Sequence, residues 1–161
     1  DNGQLENRTN YKKGKKHGPE EWFDEDGNLG SKGIYKNGES VTSEVWHKGQ
    51  LMDKFYDYES DEHIGCTHEM FHENGQLWTK DNYKDRKLDG PSESFDKEGN
   101  PIHIKVWKDG KIIRETKYTH SDGKLISKHN YKNGKPDGLW EWWNNGKLKQ
   151  KQSIFYSHES H

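Results

Sequence analysis

The chain has 161 residues, 26% hydrophobic and 34% charged, with a formal net charge of −2. Leu, Ile, Val and Phe together number only 24, which excludes a conventional two-layer core, and the balanced charge removes the basic surface that nucleic acid requires. Seven Trp, eight Tyr and five Phe supply the apolar area instead.

Ala is absent, and Gly, Tyr and Trp are prominent, so helix is disfavoured and sheet favoured. The one cysteine, Cys66, forbids an intrachain disulfide. No apolar run approaches the roughly 18 residues of a membrane-spanning helix, and no signal peptide is visible. The expectation is a cytoplasmic protein without stable membrane insertion. Export is the alternative, because the chain begins at Asp1 without Met.

Turn glycines recur at Gly3, Gly27, Gly49, Gly75, Gly99, Gly123 and Gly146, at intervals of 24, 22, 26, 24, 24 and 23 residues. A period held this long marks an array of supersecondary units. Unit one beats on Gly3, Leu5, Tyr11, Gly14, Gly18 and Trp22. Unit two repeats it with Gly27, Leu29, Tyr35, Gly38 and Trp46, with Thr42 for the second glycine. Unit three starts at Gly49 and Leu51, then departs through an irregular insertion near 56–72. Unit four returns with Gly75, Leu77, Tyr83, Gly90 and Phe95, although Arg86 stands where glycine is expected. Unit five has Pro101 for Leu, then Trp107, Gly110 and Tyr118. Unit six is the reference copy, Gly123, Leu125, Tyr131, Gly134, Gly138, Trp142 and Trp143, and unit seven is a half unit from Gly146.

Asn-Gly and Asp-Gly steps before the Leu segments favour two-residue hairpin turns. A second turn family follows about eleven residues later, at Lys13-Gly14, Asn37-Gly38, Asp109-Gly110 and Asn133-Gly134. Strands of five to eight residues fit between. The predicted fold is all-β: one domain over 1–161, an elongated single-layer antiparallel meander of about seven hairpin repeats. Its twelve to fourteen strands would extend roughly 60 Å. Leu and Tyr six apart (Leu5/Tyr11, Leu29/Tyr35, Leu77/Tyr83, Leu125/Tyr131) share a face by period-2 alternation, which predicts an aromatic face and a charged one.

The stretches His72-Glu-Asn-Gly-Gln-Leu77 with Tyr83, and Tyr131-Lys-Asn-Gly-Lys with Gly138-Leu-Trp140, resemble the MORN-variant repeats of the YwqK family along essentially the whole chain. The resemblance implies one β-hairpin per unit. It also implies a bacterial antitoxin or immunity protein that neutralises a cognate toxin by direct binding. Its residues are turn and ladder residues, so it speaks more to fold than to partner. A structural or membrane-associated scaffold is the alternative.

Two stretches carry candidate chemistry. His63, Cys66, His68 and His72 have the look of metal-ligand spacing. On a strand, however, His68 and His72 lie about 13 Å apart, too far for one zinc ion without a bend, so solvated histidines are the preferred reading and no metal is assigned. Asp57, Glu59, Asp61 and Glu62 form either a solvated loop tip or an anionic patch that steers onto a basic toxin site. Among the tryptophans, first of all ladder residues, Trp46, Trp78, Trp107 and Trp143 are candidate partner contacts, with Trp78 and Trp143 expected to be exposed. No nucleophile–base pair or cofactor loop appears. A non-enzymatic protein without cofactor is expected, with two open sheet edges available for self-association.

Overall fold

The computed structural model describes residues 3–60 and 63–155, with the side chains of 58–64 excluded. The described chain is strand and turn throughout, with no helix. Its strands are β1 (Asn7–Lys12), β2 (Lys15–Phe23), β3 (Leu29–Lys36), β4 (Glu39–His47), β5 (Gln50–Ser60), β6 (His63–Phe71) and β7 (Leu77–Lys84). They continue as β8 (Lys87–Phe95), β9 (Pro101–Lys108), β10 (Lys111–Ser121), β11 (Lys124–Lys132), β12 (Lys135–Pro136), β13 (Gly138–Asn144) and β14 (Lys147–Ile154). All pair antiparallel in chain order in one sheet, with the short β12 beside β11. This is the expected open meander.

A single layer has no interior. Among the described residues no hydrophobic side chain is buried, and the buried polar ones are Glu20 and Ser127. Apolar area is instead half-covered by neighbours on the same face, so cross-strand pairs stabilise the sheet.

Two turn types join the strands. At Lys48-Gly49, Asp122-Gly123 and Asn145-Gly146 both central residues have positive φ, the expected two-residue geometry. At Gly27 and Gly99 only the glycine does, and the loop is longer than expected. The reason is an aspartate three residues ahead. Asp24 Oδ1 accepts the N–H groups of Asp26 at 3.0 Å and Asn28 at 2.8 Å, and Asp96 repeats this with Glu98 at 3.1 Å and Asn100 at 2.7 Å. Both carboxyls are held below their usual range, at Asp24 by the Asn28 backbone N–H first and its side chain second, and at Asp96 by the Asn100 side chain first and the backbone donors after it.

The face assignment needs correction. At each Leu-bearing turn the following strand carries one extra residue. Phe23 opposes Leu29 while Trp22 opposes Ser31. Phe71 opposes Leu77 while Met70 opposes Thr79. The same skip recurs at Trp46/Leu51, Phe95/Pro101, His120/Leu125 and Trp143/Leu148. A β-bulge of this kind reverses the alternation beyond it. Leu29 and Tyr35, Leu77 and Tyr83, and Leu125 and Tyr131 therefore lie on opposite faces, not on one.

Candidate functional site

On one face, here the leucine face, the aromatic–leucine pairs line the edge of the Leu-bearing turns. Next to them runs a row of charge that periodicity alone did not reveal. Arg8 opposes Glu21, Glu21 opposes Lys32, and the sequence continues through Glu44, Lys54, Glu69, Lys80 and Glu93. Every step across these eight strands reverses sign. Ion pairs form at Lys54–Glu44 and Lys80–Glu69, both 2.8 Å, at Lys32–Glu21, 3.8 Å, and between Arg8 and Glu21. Ile104, Thr116 and Asn130 interrupt the row on β9, β10 and β11, and a second row, offset by two residues and opposite Tyr118, alternates as Lys128–Glu141–Lys151. Opposite charges in direct register stabilise a sheet and penalise a slipped one. The signal was present in the sequence: a cation three residues after each Leu and a glutamate two before each aromatic.

The other, tyrosine face carries polar networks and stacked rings. Glu20 is 7% exposed and is bonded by Lys16 Nζ at 2.6 Å and Thr9 Oγ1 at 3.0 Å. Lys16, then Thr9 and the Tyr35 phenol, hold its carboxyl below the usual range against the opposing effect of burial. Burial, with Glu20 second, pushes the Tyr35 phenol up. The Tyr35 ring lies over Gly33, where an added Cβ would come within 3.0 Å of it. Glycine makes that approach open.

Farther along the same face, His129 stacks on Trp140 at 4.2 Å and meets Trp142 edge-on at 5.4 Å. Tyr131 lies 5.6 Å from Trp140, and Lys117 sits 4.7 Å over the Tyr131 ring. Trp140 Nε1 donates to the Asn130 carbonyl at 2.9 Å. Burial lowers the pKa of His129, and His129 Nε2, Trp107 Nε1 and Thr79 Oγ1 are buried without a hydrogen-bond partner among the described residues. This cluster was not singled out by sequence reasoning.

The predicted site residues do not form one patch. Asp57 is exposed on β5 opposite Cys66. The Glu59 backbone pairs with Ile64, while its side chain, that of His63, and Asp61 and Glu62 altogether lie outside the described residues. The stretch expected to be irregular pairs regularly, from Asp53↔Met70 to Ser60↔His63 without a register shift. Over these described residues the added length extends the hairpin without a bulge.

Among the metal candidates, His68 Nε2 bonds Asp53 Oδ1 at 2.7 Å and its ring stacks on Phe55 at 4.0 Å. His72 donates to the Phe95 carbonyl at 3.0 Å. Cys66 is half-buried, and burial, with Asp57 second, pushes its thiol pKa up. Among the described residues no group of three or more His, Cys, Asp or Glu side chains is arranged to hold a metal ion.

Trp78 is 46% exposed, as expected. Trp143 is only half-buried, not exposed, because it occupies the aromatic position opposite Leu148. Trp46 holds the same position opposite Leu51, and its Nε1 donates to Glu44 Oε2 at 3.3 Å. Trp107 is half-buried on the tyrosine face, opposite Gly90 and Ile112. Trp46 and Trp143, eight strand steps apart in the sheet order, are separated by roughly 38 Å at 4.8 Å per step.

Residues 16–37, 67–85 and 115–133 each match the family described as MORN repeat variant. A repeat-based binding or scaffold role accords with these repeats. No curated protein matches the chain. Among solved structures, TarM is similar at 11% identity and a TM-score of 0.40, over 65% of this chain and 21% of TarM. A mutant of S. aureus TarM, solved with fondaparinux, alpha-GlcNAc-glycerol and UDP, is similar at 10% identity and 0.40, over 65% and 22%. The chain spans about a fifth of the length of these proteins.

Proposed function

We propose that the chain is a non-enzymatic protein-binding repeat protein, and more narrowly an antitoxin or immunity protein that occludes a cognate toxin. The observation that carries the binding reading is the single layer itself. No described hydrophobic side chain is buried, whereas Trp22, Val45, Trp78 and Leu148 are each exposed by 46% or more. Exposed aromatics and aliphatics beside charged rows are the composition of protein-binding surfaces. The narrower reading rests on the resemblance of the repeat units and on the acidic residues Asp57, Glu59, Asp61 and Glu62.

A membrane scaffold is the second reading. The alternating row from Arg8 to Glu93 weighs against it, since anionic lipid is bound by a continuous basic stripe.

The resemblance implies a toxin encoded beside the chain, so the test is rescue of cells from the product of the neighbouring gene. Wild-type chain is expected to rescue, and a variant carrying Asp57→Asn, Glu59→Gln, Asp61→Asn and Glu62→Gln is expected to lose rescue while remaining folded by circular dichroism. Rescue by neither protein sinks the immunity reading. Equal rescue by both removes the acidic patch from it.

A further inference from the structure

The two rows of turns differ in charge, although the whole chain carries a formal net charge of only −2. The turns that follow β7, β9 and β11, residues 84–87, 108–111 and 132–135, hold seven cations against two acids. The Leu-bearing turns on the opposite side of the same region, residues 96–100, 121–124 and 144–147, hold three of each sign. Where the first three turns close, lysine stands directly opposite lysine: Lys84↔Lys87, Lys108↔Lys111 and Lys132↔Lys135. All of these but Lys84 are exposed, and Asp89 offsets Lys108 at 3.2 Å. The Leu-bearing turns close without such pairs, on His47↔Gln50, Ser121↔Lys124 and Asn144↔Lys147.

Like charges directly opposite destabilise a sheet, and the leucine face of this chain sets opposite signs in register. Arg86 adds a second departure in the same place. Its φ is 64°, where every other described turn with two positive-φ residues has glycine, so one more cation is held there against backbone strain. Local rules broken together in one region are the mark of a functional surface.

We propose that the edge formed by the turns after β7, β9 and β11 binds an acidic, extended segment of a partner protein, with Arg86 among its contacts. This deepens the protein-binding reading and rests on it. Successive turns are two strand steps apart, about 9.6 Å, which is roughly three residues of an extended chain. A segment with acids at every third position therefore meets one turn after another. Asp57 carries the opposite sign next to this edge, in register with Cys66 and Tyr83, the residue before Lys84. Adjacent basic and acidic surfaces fix the orientation in which a partner docks.

A flat anionic membrane fits this edge poorly. Sheets twist by roughly 20–25° per strand, so the first and third turns, four steps apart, are rotated by about 80–100° and do not face one plane. Single-stranded nucleic acid is held by rings on which its bases stack, and the three turns contain none. Of the rings beside them, Tyr131 is engaged by Lys117 at 4.7 Å and Trp140 at 5.6 Å, and the Trp107 indole nitrogen is buried.

The probe is a fluorescent peptide of Glu-Glu-Ser repeats, titrated onto the intact chain in low salt and followed by anisotropy. Saturable binding is expected, weakened about threefold by Arg86→Gly and about tenfold by Lys87→Gln, Lys111→Gln and Lys132→Gln together. Both variants should keep or raise the urea midpoint, because a strained turn or like-charge pairs have been relieved. Absence of binding, or binding indifferent to the triple change, would overturn the proposal. So would an equal loss from Lys97→Gln, Lys124→Gln and Lys147→Gln, which remove as much charge from the Leu-bearing turns, and so would affinity that falls only in step with stability. Tighter binding of an oligothymidylate of equal charge, or of phosphatidylserine vesicles, would overturn it in favour of nucleic acid or membrane. The triple variant at Lys87, Lys111 and Lys132, mixed with the neighbouring gene product, separates the two readings. A complex that survives unchanged defeats the edge and spares the binding reading, whereas wild type that binds no partner defeats the latter.

Discussion

Asp85 and Arg86 form a hairpin turn with φ of 49° and 64°. The other turns with two positive-φ residues carry glycine second, and an L side chain in that region is strained by about 1 kcal/mol or more. Arg86→Gly should therefore raise stability by about 1 kcal/mol, read as a higher urea midpoint at unchanged slope. No gain would show that the arginine side chain compensates its backbone. Arg86 was legible as the residue out of pattern, because glycine is demanded there by conformation and not by contact. His129 was not legible, since its burial comes from Trp140 and Trp142 arriving from another strand.

The same histidine predicts a pH dependence. Burial lowers the folded pKa of His129, and burial with Lys105 second lowers that of His103. Both are depressed below the unfolded value of about 6.5, so in this window the unfolded chain binds more protons. Stability is then full above the unfolded value and is lost as pH falls from it toward the folded values. Thermal midpoints should drop between pH 7.5 and 5.5, before the carboxylates titrate. His129→Phe, which keeps the stack, should reduce that drop. An unchanged drop would place the effect elsewhere.

At the scale of elements, the repeat, the strand count and the meander were all readable, since glycine spacing reports turns directly. Faces were not, because alternation was counted through the residue after each Leu. That residue is a bulge: at Trp78 the pairing steps from Leu77↔Phe71 to Thr79↔Met70, and no polar or apolar identity announces it (Gly30, Met52, Trp78 and Lys149 all serve). The charge row predicts a simple reversal. Lys54 lies between Glu44 and Glu69, and hydrogen bonds to Glu44 first, then Tyr56, raise its pKa. Lys54→Glu would set three acids in a row and should cost about 1 kcal/mol at low salt, less in 0.5 M NaCl as screening shortens the repulsion. A cost independent of salt would mean packing, not charge, is lost.

The whole molecule exposes 11492 Å², against about 8400 Å² for a compact monomer of 19.0 kDa. Strands pack against their chain neighbours, so stability accumulates along the array, strand on strand. With less area buried per residue, the urea slope should fall below that of a compact domain of this length. A slope matching a globular domain would mean that the sheet folds over or pairs in solution. The same exposure is the basis of the functional account, because an uncovered sheet with interspersed aromatics is suited to being covered by another protein. Calorimetric titration of the chain with the neighbouring gene product tests that most directly. The account predicts a saturable one-to-one complex, with the negative heat-capacity change of apolar burial. No heat of binding, with pelleting on anionic liposomes instead, would contradict it.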